Sequence, residues 1–155
     1  MLDRSSTNDA TKRERELAQY LLAREAGSNP SAKGMADATT HTFARLYERL
    51  KDLIGSAGFE ALVKRALHLA QTDYPYLGGV VGEIQADTFQ LTGLNAIVEG
   101  RNIEDVRNGL ATMLGAFFWL LVTFVGDRLF WRFIQGVWPD ITPEETGFSA
   151  EEKQG

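Results

Sequence analysis

The stretch "GAFFWLLVTFVGDRLFWRF", Gly115 to Phe133, most limits what this chain can become. A run so apolar must be taken out of water by a core, a bilayer or a partner. A membrane-spanning helix needs on the order of 18 or more consecutive apolar residues. The strongly apolar part, Met113 to Val125, is shorter and contains Gly115 and Thr123; Asp127, Arg128 and Arg132 follow at once. Its flanks carry charges of both signs, without the basic bias that orients spanning helices. The expectation is a buried bundle helix and no membrane span, with peripheral membrane contact left open.

The segment "RNIEDVRNGL" opens that helix. Asn102 is a good N-cap, and Glu104 and Asp105 place negative charge where the helix dipole favours it. Pro139 forbids continuation, so a long, mostly buried C-terminal helix over about 102–137 is predicted. At about 100° per residue, Ile103, Val106, Leu110, Phe117, Leu121 and Phe124 share one stripe. Beyond Gly126 the apolar side swings nearly opposite. Phe130, Trp131, Phe133, Ile134 and Trp138 then form a second, aromatic arc. Aromatic residues beside arginines are enriched at interface centres, so this arc is the candidate interface, with completion of the chain's own core as the rival. On an unbroken helix Asp127 falls inside the arc and is a candidate buried charge. Three fates compete: return to solvent by a phase change at Gly126, an ion pair with an arginine such as Arg65 or Arg101, or a functional acid.

The rest of the chain reads as helices. Residues 1–34 form a polar N-terminal arm: a lead-in to Thr7, a helix capped by Asn8 or Asp9 through about Ala26, then the breaker "GSNPSAKG". Leu17, Tyr20 and Leu21 give this helix a narrow apolar stripe. It is either tethered or docked. The bundle domain spans 35–139. A helix from about Ala36 to Ile54 carries Phe43, Leu46, Tyr47, Leu50, Leu53 and Ile54 on one face. Gly55 ends it, and Ser56 caps a helix bearing Phe59, Leu62, Val63, Ala66, Leu67 and Ala70. The short join predicts an antiparallel hairpin. "YPYLGGVVGEIQ" is expected to be loop or broken helix, followed by a helix over about Ala86 to Val98. Residues 140–155 read as an acidic flexible tail. The fold class is all-α, a four- to five-helix bundle.

Chemistry-bearing motifs are scarce. The 155 residues include no cysteine, which removes disulfides, thiolate catalysis and zinc–cysteine sites. A net charge of −5 argues against a phosphate-backbone partner such as nucleic acid. His41 and His68 fall on polar helix faces without a second ligand at metal-binding spacing. No Walker loop, dinucleotide fingerprint or nucleophile elbow occurs. The polar N-terminus lacks a signal-peptide core, which points to the cytoplasm. The expectation is a non-catalytic interaction or regulatory protein, without cofactor or metal, that forms a homodimer or docks on a protein partner. The alternative is a sensor of an apolar small molecule, with its pocket between the long helix and "LGGVVG".

Overall fold

The computed structural model describes residues 2–28 and 30–146. The fold is mostly α-helical, with one small two-stranded antiparallel sheet. In chain order come α1 (Leu2–Ala26), α2 (Ala32–Gln71), a 3₁₀ turn (Pro75–Gly79), β1 (Val81–Gln85), β2 (Thr88–Thr92), α3 (Leu94–Val98), α4 (Ile103–Val125), α5 (Asp127–Val137) and α6 (Pro143–Thr146).

The predicted Asn102 cap is present: its Oδ1 accepts from the backbone N–H of Glu104 at 2.7 Å. The helix it starts, α4, packs on both α1 and α2. Val106, Leu110, Phe117 and Leu121 are fully buried, as their stripe predicts. Phe124 departs from that stripe and is 68% exposed at the helix end. Among the described residues α4 alone is long and apolar enough to cross a membrane, and half of its most apolar window is buried inside the fold.

The single helix expected over 102–137 is corrected to two. Gly126 adopts φ 90° and ψ 161°, which no helical residue adopts, and ends α4. The chain then restarts as α5, whose Phe130, Trp131, Ile134 and Val137 turn inward. A second glycine makes a similar break within α2. Gly55 has φ 78° and ψ 164°, which separates residues 32–54 from 56–71. Tyr47 and Phe59 would lie about 18 Å apart along a straight helix. Their rings are 5.1 Å apart, so the chain folds back at Gly55, in keeping with the predicted hairpin.

The N-terminal arm is docked rather than tethered. Leu17, Ala18, Leu21 and Leu22 of α1 are buried, so residue 34 is not a domain boundary. Helix α1 is already under way at Leu2, which places Asn8 and Asp9 inside it rather than at its cap. The true break is shorter than "GSNPSAKG": Ser31 caps α2 by accepting from the Gly34 N–H at 3.0 Å. The acidic tail is also corrected at its start, because Ile141 is fully buried and α6 follows. The rest of that tail, residues 147–155, lies outside the described residues.

The helix expected over Ala86 to Val98 is mostly a β-hairpin. Ala86 and Asp87 form its two-residue turn with φ 51° and 58°. Asp87 is clasped from α2: Tyr47 donates to it at 2.7 Å and Lys51 at 2.8 Å. Phe89 and Leu91 alternate inward along β2. The Phe89 ring meets Phe59 at 5.0 Å, and Phe117 meets Phe43 and Phe59, each at 5.3 Å. This aromatic cluster is the centre of the core.

Candidate functional site

A concavity of about 930 Å³ lies between α2 and β1, and a smaller cleft of about 590 Å³ lies between α1, the end of α2 and α4. Two glycines of α4 shape it. At Gly115 an added Cβ would sit 2.8 Å from the Arg15 Cα, so the bare backbone is what lets α1 approach and brings Arg15 to the cleft edge. At Gly109 an added Cβ would run into the Tyr76 hydroxyl. That hydroxyl donates to the Asp105 carbonyl at 2.7 Å, and Arg101 lies over the Tyr76 ring at 4.2 Å. Burial, and after it the charge of Asp105, push the Tyr76 phenol up to about 12, so it stays a neutral donor at physiological pH. Tyr74 packs edge-on against Tyr76 and forms part of the cleft wall.

Each side of the cleft contributes different chemistry. Helix α1 supplies Arg15 and Gln19; α2 supplies Arg65, Leu69 and Ala70. The following turn adds Thr72, Asp73 and Tyr74. Helix α4 supplies Asn108, Thr112, Ala116 and Trp119. Polar and charged groups therefore face a surface made of one indole, one phenol ring and small or aliphatic residues.

The residues singled out from sequence lie elsewhere. Phe130, Trp131, Ile134 and Trp138 are buried in this chain's own core, and Phe133 is half-buried against it. Phe130 meets Phe118 at 5.4 Å. The Trp138 Nε1–H donates to Glu25 of α1 at 3.0 Å, and Arg45 of α2 binds the same carboxylate oxygen at 2.9 Å. The candidate interface is thus covered from within. Its residues point inward because Gly126 rotates α5 relative to α4.

Asp127 is half-buried rather than buried. Its partner is Arg13 of α1 at 2.6 Å, not Arg65 or Arg101. Arg13 also reaches Glu14 at 3.0 Å, which makes a carboxylate–guanidinium–carboxylate chain across α1 and the α4–α5 corner. Burial pushes the Glu14 carboxyl above its ordinary value, against the lowering effect of Arg13. His41 and His68 are exposed, and among the described residues no group of three acidic or histidine side chains could hold a metal.

A concavity of about 930 Å³ does border "LGGVVG" at Val80, Val81 and Gly82, but its other wall is the end of α2 rather than the long helix α4. A Cβ at Gly79 would meet Ile97, and one at Gly82 would meet Phe89 and Val63. The cleft opens just before that segment, at Thr72 to Tyr74. The sequence did hold a signal for it: small residues at 109, 115 and 116 interrupt an otherwise bulky helix, and such interruptions allow close approach of other elements. No protein-family model, curated protein or solved structure matches this chain.

Proposed function

We propose that this chain is a non-catalytic regulatory protein whose input is a small molecule held in the three-helix cleft. One observation carries the reading. Polar groups converge on the cleft from three separate helices beside an indole and a phenol ring, the mixed lining that ligand pockets use to bind and orient. Self-association through the Phe130–Trp138 arc loses support, since that arc faces inward. A protein partner in the cytoplasm would then read another surface. Leu69 is suited to link the two events, because it lines the cleft and remains 39% exposed.

Amide-resolved NMR of the full chain with a library of small molecules tests the reading. Binding compounds should shift resonances of Thr72, Asp73, Tyr74, Asn108 and Thr112. Ala116→Trp should fill the cleft and abolish those shifts while the spectrum stays dispersed. Shifts that cluster elsewhere, or that survive Ala116→Trp, would overturn the proposal.

A further inference from the structure

The charge pattern of the cleft names a ligand class, on the reading above that the cleft is a ligand site. Arg15 and Arg65 enter it from different helices. Arg13, Arg24, Arg45, Lys51 and Arg107 each lie close to a carboxylate. Among the described residues neither Arg15 nor Arg65 has a carboxylate within 4.0 Å. Asp73 shares the cleft with both and is not within that distance of either. Arg15 is half-buried, so the missing counter-charge matters most there: a cation partly withdrawn from water is costly unless paired. Among the described residues Lys12, Arg49, Lys64, Arg128 and Arg132 also lack a carboxylate at that distance, so what distinguishes Arg15 and Arg65 is that they share one cleft.

The same cleft lining includes groups that suit a flat ring. Trp119 and Tyr74 contribute aromatic rings to the lining, and Ala70, Gly115 and Ala116 contribute little bulk. Aromatic pairs gain from offset or edge contact beyond simple area. Arginine matches a carboxylate with parallel N–H donors. Asp73 on the same rim works against a dianion such as a phosphate monoester, since like charges repel. We propose that the cleft binds an aromatic monocarboxylate, with its ring against Trp119 and Tyr74 and its carboxylate accepting from Arg15 and Arg65.

Calorimetric titration of the full chain with four probes of one ring system decides it. The probes are 2-naphthoate, 2-naphthylmethanol, 2-naphthylmethylammonium and 2-naphthyl phosphate. The naphthoate should bind about tenfold or more tighter than the alcohol, as charge-assisted hydrogen bonds imply. The ammonium should bind weakest, and the phosphate should not exceed the carboxylate. Arg15→Gln and Arg65→Gln should each erase most of the carboxylate preference and leave the alcohol within about twofold, since the ring contacts are untouched. Equal binding of naphthoate and alcohol, or a preference that survives both substitutions, overturns the carboxylate assignment alone. Absence of any binding, together with a compound library that shifts no cleft resonance, overturns the ligand-site reading as well.

Discussion

Gly126→Ala is the most direct probe of how this chain folds. Gly126 sits at φ 90° and ψ 161°, and an added Cβ would meet nothing within 4 Å. Space is therefore not the obstacle; the backbone conformation is. A residue with a Cβ in this region pays on the order of 1–3 kcal/mol of strain. Alanine recovers about 0.4–1 kcal/mol by lowering the entropy of the unfolded chain. The net expectation is a loss of about 1–2 kcal/mol. Escape by straightening α4 into α5 is closed to a monomer, because it would strip Phe130, Trp131, Ile134 and Trp138 from the core. Each such loss costs about 2–5 kcal/mol. Straightening is open only to a swapped dimer, in which a second chain's α5 refills the gap. Urea melts at low concentration should show the loss with the mass still that of one chain, and concentrated samples should reveal any swapped species. D-alanine at 126, introduced by ligation, has the mirror preference and should restore wild-type stability. A monomeric L-alanine variant as stable as wild type would refute the argument that a positive φ is required here.

Other substitutions test other joints. Ile141→Ala should cost about 2–4 kcal/mol in a urea melt, because Ile141 is fully buried; a neutral result would mean the segment after Pro139 does not hold to the core. Thr42→Val should gain about 1 kcal/mol, since the buried Thr42 hydroxyl has no hydrogen-bond partner among the described residues; a loss would reveal one. The carboxylate of Asp87 is held below the ordinary range by Lys51 and Tyr47, so it adds stability above its unfolded value of about 3.9 and loses it as pH falls through the lower folded value. Asp87→Asn should therefore be less stable than wild type at pH 7, with the gap closing in strong acid; a gap independent of pH would refute this. Glu14 has the opposite sign: its folded pKa is raised, so its charge is a burden above that value, and the burden lifts as pH falls toward about 4.3. Glu14→Gln should match or exceed wild type at pH 7 and lose that advantage in acid; a clear loss at pH 7 would show that the bond to Arg13 outweighs the burial cost.

Where the sequence spoke through periodicity and capping, it was legible. Asn102, Gly55 and the inward stripes of α2 and α4 follow from local rules acting on neighbouring residues. The hairpin and the break in the long helix were misread for one cause: each turned on a residue whose conformation is set from a distance. Ala86 and Asp87 carry none of the Asn-Gly or Asp-Gly chemistry that announces a two-residue hairpin. Their left-handed backbone is held because Tyr47 and Lys51, more than thirty residues away, grip Asp87. Gly126 was visible as a weak point, yet glycine tolerates helix and break alike, and only the inward burial of α5 selects the break. The cleft was hidden for a related reason. Arg15, Arg65 and Trp119 each look like ordinary residues of amphipathic helices, and Arg15 joins the other two on one cleft because Gly115 admits the α1 backbone. That dependence orders the cleft after the helix packing. A side chain at residue 115 would push α1 away, widen the cleft and carry Arg15 from Trp119, while leaving α4 itself a better helix. Gly115 is therefore more consequential for the site than for the helix that contains it.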